Sequence, residues 1–320
     1  MESIITADLV KHNHEDLKKM WMMLLKKYYQ DPETLKSEYM HDVNCHHCGS
    51  TQSHSKFKIN GFNHVTCASC GTVYVTPRLQ DKYLSELYDG EYYSYFFKKS
   101  LIPAFEVRKK LIGERKANQI LQFYPKKGRI LDIGSGIGEV IDVFQDRGWL
   151  CQAIEVNPIA VKWLENKNIK VFADIFEKYS INEKFDVIMG WGVVEHVSDP
   201  IKFLEKVYSQ LKPGGVFVSE VPNGDSLLVD YCRQTNKDPG RIIMGEQHII
   251  LYSVKAYEQL HQTCGFQKLH VQTNGLDVET IFKINNVFVS DSLIIELQKT
   301  IDSYFKGDLL RGFWKKPFEK

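Results

Sequence analysis

The sequence predicts an α/β protein: a doubly wound parallel sheet, preceded by a helical arm and a small metal-stapled module. Three observations lead there. From Arg129 onward, short apolar runs alternate with segments of helical period. The first of these runs ends in three glycines at alternate positions, Gly134, Gly136 and Gly138. Upstream, four of the seven cysteines fall into two CxxC pairs.

With 320 residues and 43% hydrophobic content, the chain can bury one large core and a smaller one. A formal net charge of +1, with both signs spread throughout, lacks the basic footprint of a protein whose main partner is nucleic acid or an acidic membrane. The longest apolar run near the N-terminus, Met20 to Leu25, is too short for a signal core or a membrane span. Two cysteine pairs and three single cysteines (Cys151, Cys232, Cys264) suit metal binding in a reducing, cytoplasmic compartment better than a disulfide framework.

Residues 1–41 read as the arm. Leu9, Leu17, Met20, Trp21, Leu24, Leu25 and Tyr28 recur at helical spacing among lysines and acids. Such a stripe packs on the body or on a second copy in a homo-oligomer; a lid over the active site is the alternative. Residues 42–78 hold too few large apolar side chains for a core of their own and need a staple. Residues 79–128 read as a helical linker or cap crowded with aromatic side chains, among them Tyr83, Tyr88, Tyr92, Tyr93, Tyr95, Phe96 and Phe97.

Residues 129–320 carry the sheet. Strands are expected at 129–133, 151–156, 169–172, 185–189, 215–221 and 267–271, most apolar enough to be buried on both faces. Asp199-Pro200 starts a helix, the aspartate as cap and the proline in the first turn, and Lys212-Pro213-Gly214-Gly215 closes it. Ser253 caps another that stops at Gly265.

The staple is Cys45, Cys48, Cys67 and Cys70. Each pair is followed by glycine, and eighteen residues separate the pairs. Two such knuckles build a closed four-thiolate zinc site, structural because no coordination position stays open. His46, His47, His54 and His64 lie near enough to replace one thiolate, so a three-cysteine, one-histidine site is the alternative.

At the end of the first strand, glycines let a nucleotide-type cofactor approach the backbone. The spacing is GxGxG rather than the GxGxxG of dinucleotide folds. Glu155 follows seventeen residues after the last glycine, at the end of the next strand. A carboxylate there can accept both hydroxyl donors of a ribose.

Ile130-Leu-Asp-Ile-Gly-Ser-Gly-Ile-Gly138, Ala153-Ile-Glu-Val-Asn-Pro158, Ala173-Asp174, the run from Phe185 through Glu195-His196-Val197 to Asp199-Pro200, and Leu211-Lys-Pro-Gly-Gly215 follow in order. This series resembles the class I S-adenosylmethionine-dependent methyltransferases from about Arg115 to the end of the chain. The resemblance implies a Rossmann-like seven-stranded methyltransferase sheet. It implies that Gly134, Ser135, Gly136 and Gly138 admit the methionine end of the cofactor, with Asp132 ordering the loop or reaching the amino group. Glu155 and Val156 would lie at the ribose, and Asp174 at the adenine amino group. Ile175 and Trp191 would cover the adenine.

Cys67-Ala-Ser-Cys-Gly-Thr-Val-Tyr-Val-Thr-Pro-Arg78, followed by Leu87-Tyr88 and Glu91-Tyr-Tyr93, is similar to the zinc-ribbon methyltransferases of sugar and natural-product pathways. In these, Gly245-Glu-Gln-His-Ile-Ile-Leu-Tyr-Ser253 corresponds to the segment whose histidine lies near the acceptor. Deoxysugar C-methyltransferases of this type carry a further C-terminal domain. The sequence ends soon after the methyltransferase fold, a departure that speaks against C-methylation and against a deoxysugar acceptor; methylation at oxygen of a sugar or related polar metabolite is the expectation.

Methyl transfer from a sulfonium needs positioning, a dry site and, for a hydroxyl acceptor, a base. His248 and His196 are the candidates, the first in a loop before the sixth expected strand and the second after the fourth. The polar residues Asn223, Asp225, Arg233, Lys237, Arg241 and Glu246 fit a polar small-molecule acceptor, a sugar or nucleotide-linked sugar of carbohydrate biosynthesis. The competing readings are a methyltransferase for another natural product, for RNA or for protein, an NAD-dependent oxidoreductase, and a non-catalytic binding module.

Overall fold

The computed structural model describes residues 14–88, 90–180 and 182–318. Leu9 of the expected arm lies outside them, and the side chain of Tyr88 is likewise not described. Among the described residues no helix is long and apolar enough to cross a membrane.

The arm is helix α1 (His14–Leu25). Its apolar stripe buries Leu17, Trp21 and Leu25. After Tyr28 the chain leaves the helix for a short hairpin, Tyr29–Asp31 against Thr34–Leu35. The ribbon follows as β1 (Ser53–Ile59), β2 (Phe62–Cys67) and β3 (Val73–Val75). The linker is helical, and α2 (Glu91–Phe96) and α3 (Glu114–Phe123) are its two elements that meet the site.

The main sheet begins with β4 (Arg129–Ile133), α4 (Glu139–Asp146), β5 (Leu150–Ile154), α5 (Pro158–Asn166), β6 (Lys170–Phe172) and β7 (Phe185–Trp191). Then come α6 (Pro200–Gln210), β8 (Leu211–Pro222), α7 (Leu227–Thr235), β9 (Ile250–Leu251) and α8 (Val254–Thr263). The rest is β10 (Gln267–Asn274), α9 (Asp277–Ile284), α10 (Asp291–Ser303) and β11 (Leu309–Lys315). Asp199 and Ser253 cap α6 and α8 by accepting from the amides of Lys202 and Ala256.

The seven strands run in the order β6-β5-β4-β7-β8-β11-β10. The first five are parallel, and β11 is antiparallel to both of its neighbours. Alternate residues sort to the two faces, as the pleat requires. Leu131, Ile188, Phe217 and Trp314 join a core shared with α1 and the ribbon, while Ile130, Val187, Val218 and Phe313 pack on the face covered by α3 and α4.

Strand β11, wedged between β8 and β10, completes the seven, whereas only six strands are readable in sequence. It buries Arg311 one strand in from the sheet's edge, where the Nε donates to Glu220 at 2.8 Å. The two small modules are not independent. β9 pairs with β3, so a strand from the C-terminal half extends the ribbon sheet to the order β9-β3-β2-β1.

Candidate active site

The four cysteine sulfurs come together. Cys45 Sγ lies 3.6 Å from Cys70 Sγ, Cys48 Sγ lies 3.5 Å from Cys67 Sγ, and all four fall within 4.8 Å of one another. Tetrahedral zinc at about 2.3 Å from each sulfur sets neighbouring thiolates about 3.8 Å apart. The donor set therefore fits that metal. His64, one of the alternative ligands, instead stacks on Phe57 at 5.0 Å. Ser253 Oγ donates to Cys70 O at 2.8 Å, and the same oxygen caps α8. The knuckle is thereby tied to the main domain.

The glycine loop is built from its own neighbourhood. The amides of Gly134 and Ser135 donate to Ile154 O on β5 at 2.9 and 3.2 Å. Glu155 accepts three backbone amides, Gly136 at 2.7 Å, Val156 at 2.9 Å and Asn157 at 2.8 Å. Burial raises its pKa, and these amides oppose the rise. Gly138 has φ +75 and no room for a side chain, because a Cβ would stand 2.4 Å from Leu164 Cδ2. Gly136 (φ +54) faces the ring of Phe97. The helix α4 that follows offers its N-terminus to an anionic ligand group.

Two buried polar atoms in this loop lack a partner, Asp132 Oδ1 and Ser135 Oγ. Burial holds the Asp132 carboxyl well above the ordinary carboxylate range. Unsatisfied polar atoms inside a close-packed wall are costly, and a ligand amino group and carboxylate would satisfy these. The lining thus fits the methionine end of S-adenosylmethionine.

Each expected adenine residue has partners within the chain. Asp174 is held by Ile175 N at 2.8 Å and by Lys178 at 3.0 Å, and Ile175 is 43% exposed. Trp191 lies beneath Lys116, whose Nζ stands 3.9 Å from its ring centroid. Lys116 and Arg311 both pair with Glu220. Burial alone would raise the Glu220 pKa, but Arg311 and Lys116 outweigh it and hold the carboxyl down at about 2.

On the acceptor side, His196 and His248 lie with ring centroids 4.9 Å apart. His196 Nδ1 is 2.9 Å from Gln247 O, and His248 Nδ1 is 2.6 Å from Ile242 O. A carbonyl oxygen only accepts, so both bonds require Nδ1–H, which on His248 makes Nε2 the basic nitrogen. Burial and the neighbouring His248 lower the His196 pKa to about 3, and burial lowers that of His248 to about 4. Burial likewise raises the Glu195 pKa to about 8. One carboxyl and two neutral imidazoles thus converge within 4.8 Å, a set that could also hold a divalent cation.

Every module contributes to the loop bearing His248. Trp21 Nε1 of α1 donates to Glu246 Oε1 at 2.8 Å, and Tyr93 of α2 donates to Gln247 Oε1 at 2.7 Å. Gly245 abuts the ribbon so closely that a Cβ would stand 2.4 Å from Phe62 Cβ. Of the loop's other polar residues, Arg241 pairs with Asp308, whereas Asn223 and Asp225 cap and tie turns. The tyrosine cluster at 88–95 is readable either as pocket lining or as interdomain packing, and Tyr93 reaches Gln247. Gln247, Glu195, Trp21 and Phe97 are the site residues to which the sequence assigns no site role; the signals are the aromatic run at 92–97 for Phe97, the arm's stripe for Trp21, and adjacency to the two histidines for Glu195 and Gln247.

A family model described as a methyltransferase domain matches residues 107–271, just over half of the chain. A curated relative from Nitrobacter winogradskyi, named ubiquinone biosynthesis O-methyltransferase, is 35% identical over 103 residues, covering 30% of this chain and 39% of the relative. One of the same name from Paramagnetospirillum magneticum is 35% identical over 100 residues, 29% of this chain and 40% of the relative. The chain thus spans about two fifths of the length of these relatives. Among solved structures, a SAM-dependent methyltransferase from Archaeoglobus fulgidus is similar at TM-score 0.46 and 20% identity, over 65% of this chain and 94% of that one.

Proposed function

The chain belongs to the methyltransferase-domain family, enzymes that use S-adenosylmethionine, and we propose that it methylates a hydroxyl oxygen of a small polar acceptor, a sugar or nucleotide-linked sugar. One observation carries the acceptor class. Around the two imidazoles, Glu195 Oε2, Glu246 Oε2 and Gln247 Nε2 are buried without a partner. Two carboxyl oxygens and an amide donor, all buried and unpartnered, suit a molecule with several hydroxyls, which can both donate and accept. The relatives are named for transfer to oxygen, but the match covers too little of their length to carry over their acceptor.

The cofactor, when bound, supplies a methyl group on a positively charged sulfur. The glycine loop, Asp132 and Ser135 would hold its amino-acid end, and Glu155 with Val156 would meet the ribose. Asp174 and Ile175 would stand at the adenine, and Trp191 would close the cleft from the Lys116 side. Phe97 and Tyr93 exclude water from above, which favours a displacement whose charge fades as it proceeds. His248 or His196 accepts the hydroxyl proton at Nε2 as the oxygen attacks. Zinc on the four cysteines would be structural, holding the ribbon against Gly245 and so shaping the acceptor loop. A reducing, cytoplasmic setting agrees with free thiolates there.

The test is incubation with methyl-labelled S-adenosylmethionine and pools of nucleotide sugars and cell metabolites, followed by mass spectrometry of the labelled product. An O-methylated sugar is expected. A labelled phenol, lipid or protein would overturn the acceptor class. Thermal stabilisation by NAD and not by S-adenosylhomocysteine would overturn the cofactor.

A further inference from the structure

Ile242 is the only β-branched residue with positive φ among the described residues, at +39. That backbone is costly for a branched side chain, and it persists only where surroundings impose it. The turn is closed by Ile243 N donating to Arg241 O at 2.5 Å, and the Ile242 side chain is buried among Phe57, Val229 and Leu251. On its N-terminal side the turn is anchored by Arg241, whose Nε lies 3.1 Å and Nη2 3.3 Å from the two carboxylate oxygens of Asp308. Asp308 is fully buried and fixed in turn, its amide donating to Asp277 Oδ2 at 2.8 Å and its carbonyl accepting from Asn223 N at 2.9 Å.

The strained turn aims one group at the site. It directs Ile242 O to His248 Nδ1. We infer that Arg241 is a positioning residue for methyl transfer: its ion pair with Asp308 holds the Ile242 turn, whose carbonyl fixes His248 as the Nδ1–H tautomer and presents Nε2 to the acceptor. The inference rests on the reading of His248 as an acceptor-side base. The pair is held by one hydrogen bond, Arg241 Nη2 to Asp308 Oδ1, with Nε close to Oδ2 as an ion pair but not hydrogen-bonded to it. Arg241 touches neither the glycine loop nor Glu155, so cofactor binding is indifferent to it.

The test compares the parent, Arg241→Lys, Arg241→Met and the double variant Arg241→Met/Asp308→Asn, each loaded with S-adenosylhomocysteine. Removing the arginine alone strands a buried carboxylate and can unfold the loop, whereas the double variant removes both charges and keeps the fold measurable. The ¹⁵N shifts of the His248 ring report its tautomer directly. The parent is expected to show Nδ1–H and the double variant a mixture or Nε2–H. Turnover on the acceptor pool should fall about tenfold or more in the double variant, with KM changed less than kcat. Arg241→Lys should recover part of it. A double variant that keeps the parent's tautomer overturns the inference, whatever its turnover. A tautomer that shifts while turnover stays at the parent's level upholds the positioning by Arg241 and overturns His248 as the base.

Discussion

The glycine loop at 134–138 and the proposed acceptor loop at 236–248 are linked through Phe97 and Tyr93 but are held in opposite ways. The first is fixed by neighbours in sequence. Ile154 O, Glu155 and the start of α4 all lie within about twenty residues of Gly136, and backbone amides do most of the bonding. The second is fixed from a distance by Trp21 of the arm, Phe62 of the ribbon, Tyr93 of the cap and Asp308 at the edge of β11. A cofactor shared by a whole family can rest on a local motif. An acceptor specific to one protein is framed by whichever modules that protein has assembled.

The largest separation should come from the ribbon. A structural zinc site contributes about 10–16 kcal/mol to folding in isolated fingers. Chelation, or Cys48→Ser, should therefore abolish turnover by releasing Phe62 from the acceptor loop. Calorimetry should still find S-adenosylhomocysteine bound within about tenfold of the parent affinity.

The cofactor side has one long-range prop, the Glu220 cluster beneath Trp191. Glu220→Gln leaves Arg311 and Lys116 buried without their carboxylate and should cost about 3–5 kcal/mol in urea unfolding. The pH dependence has a definite sign. The carboxyl is held at about 2 against an ordinary 4.5, so its contribution is complete above pH 4.5 and disappears as pH falls toward 2. The slope in that window is at most about 1.4 kcal/mol per pH unit. The glutamine variant should lack this slope.

Gly138→Val forces a side chain into Leu164 at φ +75. It should cost about 2–3 kcal/mol and weaken S-adenosylhomocysteine binding about tenfold or more, with the acceptor loop intact. Tyr93→Phe removes the hydroxyl that donates to Gln247. It should lower kcat/KM only about fivefold, the equivalent of about 1 kcal/mol, without changing cofactor affinity.

The same contrast explains what could be read from sequence. β4 is expected at 129–133 and found there, because an apolar run ending in glycine is a local signal. The caps at Asp199 and Ser253 and the four-cysteine cluster are local for the same reason. β11 is not, since its pattern breaks at Arg311 and Gly312, and the arginine is tolerated only because Glu220 waits ninety-one positions away. β9 is two residues long and becomes a strand only by pairing with β3 of the ribbon. Trp191 is expected at the adenine from its place in the motif order, and the Lys116 that stands over its ring is a partner that order does not encode.

The central claim, that cofactor and acceptor sites are separately built, is tested most directly by Gly245→Ala. One added methyl group would stand 2.4 Å from Phe62 Cβ and push the acceptor loop off the ribbon. Titration calorimetry with S-adenosylhomocysteine, run beside turnover on the labelled acceptor, should give an affinity within about threefold of the parent. Turnover should be lower by about tenfold or more. Parallel losses of affinity and turnover, or full turnover in the alanine variant, would contradict it.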